Sequence, residues 1–92
     1  MYRIIDKRGT GKTSRLFLLA KEQDAVILCA NELDLREKAH TYGITGLTFL
    51  NYGDCLLAPE RCEGRKILID DLEKFAQFIT GFHTIGYTLS ED

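Results

Sequence analysis

The stretch Arg8-Gly9-Thr10-Gly11-Lys12-Thr13 begins six residues after Tyr2 opens an apolar segment, and it runs directly into an amphipathic one. Glycines placed this way let backbone N–H groups converge on an anion that any side chain would keep at a distance. Gly9 and Gly11 are the small positions, and Gly9, Thr10 and Gly11 lend backbone amides. Lys12 supplies a cation for outer phosphates, and Thr13 a hydroxyl able to ligate Mg²⁺. A helix starting here adds the positive end of its dipole. The full pattern, Gly-x-x-x-x-Gly-Lys-Ser/Thr, asks for glycine at position 6. This chain has Asp6, which sets a carboxylate near the anion site.

A second stretch answers the first. Lys66-Ile67-Leu68-Ile69-Asp70-Asp71 is a short apolar strand ending in two carboxylates, as a Walker B segment does. In the P-loop fold that the two stretches resemble, such an Asp holds Mg²⁺, often through water, so the resemblance makes Asp70 and Thr13 the expected metal ligands. Together, in this order, the two stretches point to a nucleotide site; a glycine turn and a solvated acidic strand end form the bland alternative.

Ninety-two residues make a single domain spanning positions 1–92. A formal net charge of −2 argues against a surface that grips nucleic acid non-specifically. Arg3, Lys7, Arg8, Lys12 and Arg15 nevertheless crowd the start of the chain against Asp6 alone, an excess that suits a phosphate site. The three cysteines, Cys29, Cys55 and Cys62, include no Cys-x-x-Cys pair, which speaks against a disulfide framework and against zinc. Cys29 falls in an apolar run and reads as a buried free thiol. Cys55 and Cys62 can meet across a loop, but a reducing cytoplasm is the simpler assumption. No signal peptide and no membrane-length apolar run is seen, so the expected location is cytoplasmic, with no membrane partner.

Taken in order, Tyr2–Asp6 reads as a first strand and Lys12 to about Glu22 as a helix buried through Leu16, Leu19 and Ala20. Ala25–Ala30 is apolar without alternation, the pattern of a strand covered on both faces. Asn31 caps a second helix, with Asp34 able to bond back, Leu35, Ala39 and Tyr42 on its apolar face, and Gly43 as its stop. His40, without a nearby Cys or His, reads as a solvated or hydrogen-bonded residue rather than a ligand. Ile44–Leu50 suggests a third strand. Residues 51–65 read as a long loop around Pro59, with Cys55–Ala58 able to form a helical turn. That loop either closes over a nucleotide, meets a partner, or merely connects. The strand Ile67–Asp70 leads into a helix from Asp71 to about Thr80 with Leu72, Phe75, Ala76 and Ile79 as its buried stripe and Gly81 as its stop. Phe78 and Phe82 are expected in the core or at its margin. Thr84–Leu89 alternates as a last strand, at the sheet edge or beside the first.

On these motifs the chain resembles a P-loop NTPase over most of its length. Arg8 directly before Gly-x-Gly-Lys-Thr is similar to the loop of terminase- and helicase-like ATPases, and the apolar strand ending in Ala30-Asn31 to the helicase segment after the first helix. The order of elements resembles small uncharacterised P-loop proteins of phages and prophages. The resemblance implies ATP and Mg²⁺ as cofactors, with Arg8, Gly9, Thr10, Gly11, Lys12 and Thr13 at the nucleotide. Lys12 then contacts the β- and γ-phosphates. Those ATPases follow the Walker B Asp with a Glu that polarises water, and here Asp71, one methylene shorter, is the candidate base. No arginine finger is evident; Arg61 and Arg65 are equally well solvated loop charges.

The expected architecture is a three-layer α/β/α domain with a mainly parallel sheet of about five strands. Its nucleotide lies at the carboxyl ends of the strands. Two functions fit: an ATPase, weak or dependent on a partner, or a non-catalytic module of P-loop fold that contacts a phage or host protein. Nucleic acid enters only through a partner complex. A small-substrate kinase is third, since the chain is short for a lid and an acceptor site.

Overall fold

Strand β1, Val26–Cys29, has all four side chains buried, and the molecule is layered around it. In the computed structural model, which describes residues 2–5 and 11–90, β1 is the middle strand of a three-stranded sheet. It pairs in parallel with β2, Thr48–Asn51, and with β3, Ile67–Ile69. Val26 stands opposite Thr48 on one side and Ile67 on the other. A parallel central strand needs helices on both faces, which is why its residues show no polar alternation.

Side chains leaving β1 toward opposite faces enter two separate cores. Ile27 and Cys29 meet Leu16, Phe17 and Ala20 of helix α1, Lys12–Gln23, and Leu35 and Ala39 of α2, Glu32–Thr41. Val26 and Leu28 meet Leu50, Tyr52 of α3 (Tyr52–Leu57), and Phe75 of α4 (Leu72–Thr80). The expected three layers are present. Phe17, rather than Leu19, is the fully buried anchor of α1, edge-on to Phe49 at 5.6 Å between ring centres. Burying such a ring is worth roughly 1.5–3 kcal/mol.

The sheet is narrower than the expected five strands. Neither residues 2–5 nor 84–89 join the ladder. Ile4 still packs on the α1 side of the core, and the Arg3 guanidinium donates to the Ser90 carbonyl at 2.6 Å. The tail therefore lies beside the start of the chain, as expected of a neighbouring strand, without strand pairing. The expected third strand, Ile44–Leu50, is cut short because Gly46 sits at φ 81°, in the left-handed region that extended backbone does not visit; Gly43, at φ 70°, has the left-handed conformation expected of a helix stop.

The expected 51–65 loop is largely helical: α3 is followed by a 3₁₀ turn at Pro59–Arg61, with Pro59 in the first turn where a missing N–H costs nothing. The expected buried stripe of α4 is also not observed, for none of its residues is fully buried. Phe75 is half-buried against Tyr52, Phe78 is 52% exposed at the core margin, and Phe82 is 76% exposed. The cause is geometric: Phe75 and Phe78 rest on the Tyr52 ring of α3, and a sheet of three strands leaves α4 little else to cover. No helix among the described residues is long and apolar enough to cross a membrane.

Candidate functional site

Helix α1 is preceded by Gly11 at its N-cap, whose φ of 85° is left-handed. A Cβ there would meet nothing within 4 Å, so backbone conformation rather than space calls for glycine. Helix α2 satisfies its first amides with side chains: Asn31 accepts from Leu33 and Asp34 N–H, and Asn51 accepts from Glu32 N–H at 2.7 Å. Helix α4 uses Asp71 in the same way, accepting from Lys74 N–H at 3.2 Å. Among the described residues, α1 has neither a side-chain cap nor an acid in its first turn. Its amino end is left electrostatically positive.

Facing that end is the carboxyl end of β3. Asp70 N–H donates to the Leu28 carbonyl at 2.8 Å, extending the ladder one residue past Ile69. Lys12, Asp70 and Asp71 share a small cleft with Tyr2, Ile4 and Leu68, of about 90 Å³. The fold thus brings together Lys12 from the first motif and both carboxylates from the second. Thr13 is half-buried next to Lys12 and does not line the cleft. Asp6, Arg8, Gly9 and Thr10, expected around the anion, lie outside the described residues.

Burial raises the Asp70 carboxyl above the usual range, and Asp71 pushes it the same way; Lys12, Lys38 and Lys74 oppose them. A desolvated carboxylate beside a second one is a place where added positive charge is favourable. Asp71 is differently employed. It sits at φ 61°, which Asp tolerates better than most residues, and one carboxylate oxygen caps α4 while the other lies 3.9 Å from Lys74 Nζ. A water-activating role would have to share that carboxylate with the helix.

Tyr52 is the residue that the sequence did not flag, because it fell in an apparent loop. It is 3% exposed, and its hydroxyl bridges the backbone carbonyls of Asp70 and Asp71, the latter at 3.2 Å. Its ring packs edge-on to Phe75 and tilted to Phe78, at 5.2 and 5.8 Å. Burial, followed by the charges of Asp70 and Asp71, raises its pKa, so the hydroxyl stays protonated and remains a donor. Tyr52 therefore ties α3 to the strand end carrying both carboxylates. Tyr52→Phe keeps the ring and removes the donor; it should cost about 1–2 kcal/mol in urea unfolding. A loss under about 0.5 kcal/mol would show that the hydroxyl does not hold the strand end.

Among the described residues, no three His, Cys, Asp or Glu side chains gather into a metal site. Of the two expected metal ligands, Asp70 lines the cleft and Thr13 does not. No protein-family model, curated protein or solved structure matches the chain.

Proposed function

We propose that this chain binds a nucleoside triphosphate, ATP first among candidates, with Mg²⁺, at the crest between the start of α1 and the end of β3. One observation carries the proposal: Lys12 and the pair Asp70–Asp71, far apart in sequence, border one cleft at a helix start without a side-chain cap among the described residues. Lys12 binds the outer phosphates, the amides around Gly11 receive their oxygens, and Asp70 holds the ion; the Thr13 hydroxyl, outside the cleft lining, has to turn toward the ion to share it. The metal, when bound, neutralises charge between the β- and γ-phosphates. A cleft of about 90 Å³ takes a phosphate group, whereas whole-ligand pockets run to about 300–1,000 Å³. The base and sugar accordingly lie on the surface, and the phosphates supply most of the recognition. Titration calorimetry with ATP, ADP and GTP, with and without Mg²⁺, tests this; no heat with any of them at millimolar concentration would overturn it.

Asp70 makes opposite contributions to the empty fold and the loaded site. Its carboxyl keeps a proton to higher pH when folded than when unfolded, so its contribution to stability is fully present below the unfolded value. That contribution is lost as pH rises through the folded one. Asp70→Asn should then raise the urea midpoint at pH 7 in buffer with a metal chelator, and the advantage should vanish below about pH 4. The same variant should lose most of the Mg²⁺-dependent gain in ATP affinity and little of the metal-free binding. An unchanged Mg²⁺ response would make Asp70 a structural strand end.

The second function, a partner-binding module, is favoured by the apolar surface that α4 and the tail leave open, where Ile79, Phe82 and Ile85 are all exposed. In that case the nucleotide, or the fold alone, supports contact with a phage or host protein.

A further inference from the structure

On the face of the sheet opposite α1, the Sγ atoms of Cys55 and Cys62 lie 3.3 Å apart. Both are half-buried and pack against the cluster of Val26, Leu28, Leu50 and Tyr52. Backbone hydrogen bonds fix the chain between them. Ala58 N–H donates to Asp54 at 2.9 Å, Arg61 N–H to Ala58 at 3.0 Å, and Cys62 N–H to Pro59 at 3.0 Å. The two thiols are thus held together by α3 and the 3₁₀ turn, not by chance encounter of a floppy loop. Cys62 also borders an open depression formed with Pro59, Glu60 and Glu63. Cys62 lines that depression and Cys55 does not, so a small reagent there meets Cys62 first, with the Cys55 sulfur 3.3 Å from it.

We propose that Cys55 and Cys62 form a reversible dithiol–disulfide site that is oxidised by small disulfides of the glutathione class. The Cys62 thiolate attacks one sulfur of glutathione disulfide, and the first glutathione leaves as the thiolate, taking up the proton that Cys62 released. The Cys55 thiolate then attacks the Cys62 sulfur of the mixed disulfide and expels the second glutathione, which takes up the Cys55 proton. In total, two protein thiols give two electrons and two protons to one glutathione disulfide, yielding the Cys55–Cys62 bond and two glutathiones. Cys29 takes no part. It is fully buried, its Sγ–H donates to the Leu50 carbonyl at 3.6 Å, and burial, with the charges of Asp70 and Glu32, pushes its thiol up to about 11.

The site does not depend on the nucleotide proposal. Folded protein is equilibrated in buffers of stepped glutathione to glutathione-disulfide ratio, quenched with acid, alkylated and weighed intact. After alkylation the reduced wild type should carry three alkyl groups and the oxidised form a single one, mapped to Cys29, with one step between them and about 2 Da separating the two forms before alkylation; a dithiol reductant should return it. Cys55→Ser should instead accumulate one glutathione adduct on Cys62, because no second thiol can resolve it. Stable glutathione adducts on the wild type would overturn the proposal. So would two thiols that stay unreacted in excess glutathione disulfide yet react once the protein is unfolded in urea.

Discussion

Replacing Lys12 with alanine should weaken ATP binding by at least about tenfold, and by about a hundredfold where Mg²⁺ is absent and no other cation shares the phosphates. A charge-assisted hydrogen bond to a phosphate is worth about 1.5–3 kcal/mol, and each 1.4 kcal/mol is a factor of ten. The fold should survive, since Lys12 is the first residue of α1 and belongs to neither buried cluster. Alanine is also the best helix former at such a position. A second consequence follows from the cleft. Lys12 is the first of the cations that restrain the Asp70 carboxyl, so its removal lets that carboxyl titrate still higher. Calorimetry on wild type and variant, with unfolding curves to show an intact fold, measures both effects. Equal ATP affinity under conditions where the wild type binds would remove Lys12 from the site.

The central part of this fold was legible because its residues carry one message at every level. Val26–Cys29 is apolar throughout and short, and only a strand covered on both faces uses such a run. Asn31 announces α2 by its own side-chain chemistry, and Gly81, at φ 78°, ends α4 where expected. The edges were harder. Thr84–Leu89 alternates like a strand, yet alternation specifies only a surface that fits a pleat, and without a paired neighbour Ile85 is 95% exposed. The amphipathic stripe of α4 was read correctly as a pattern but does not find a wide sheet to cover. At the site, glycine, lysine and carboxylate chemistry is local and therefore visible. Tyr52 is not, because its role is a hydrogen bond to backbone carbonyls 18 and 19 positions away that only the parallel pairing of β1 with both neighbours creates. The Cys55–Cys62 approach was visible as a possibility from spacing, and it took the turn at Pro59–Arg61 to bring the sulfurs together.

If ATP binds as proposed, the isolated chain should hydrolyse it at about 0.01 per second or slower. Typical enzymes turn over about ten times per second, and an absent arginine finger alone costs about a thousandfold or more. Two features of the cleft point the same way. With a volume of about 90 Å³ it leaves most of a nucleotide in water, where fixed charges help a developing transition state least. Asp71, the candidate base, already spends one oxygen on the Lys74 amide and leans toward the Lys74 ammonium. Lengthening it to Glu restores the reach of the Glu in the ATPases that the sequence resembles but disturbs both the cap and the left-handed backbone at φ 61°. Asp71→Asn is the cleaner probe. Asn accepts the same capping hydrogen bond and tolerates the same backbone, while it cannot take a proton from water. Stability should stay within about 0.5 kcal/mol of wild type, and any residual hydrolysis should fall at least about tenfold, the small end of general-base effects. Unchanged hydrolysis in Asp71→Asn would leave Asp71 as a helix cap only. Wild-type turnover of several per second would mean that the cleft is catalytically complete without a partner. A chain inert alone and active with an added protein or DNA would instead be an ATPase whose missing cation comes from that partner.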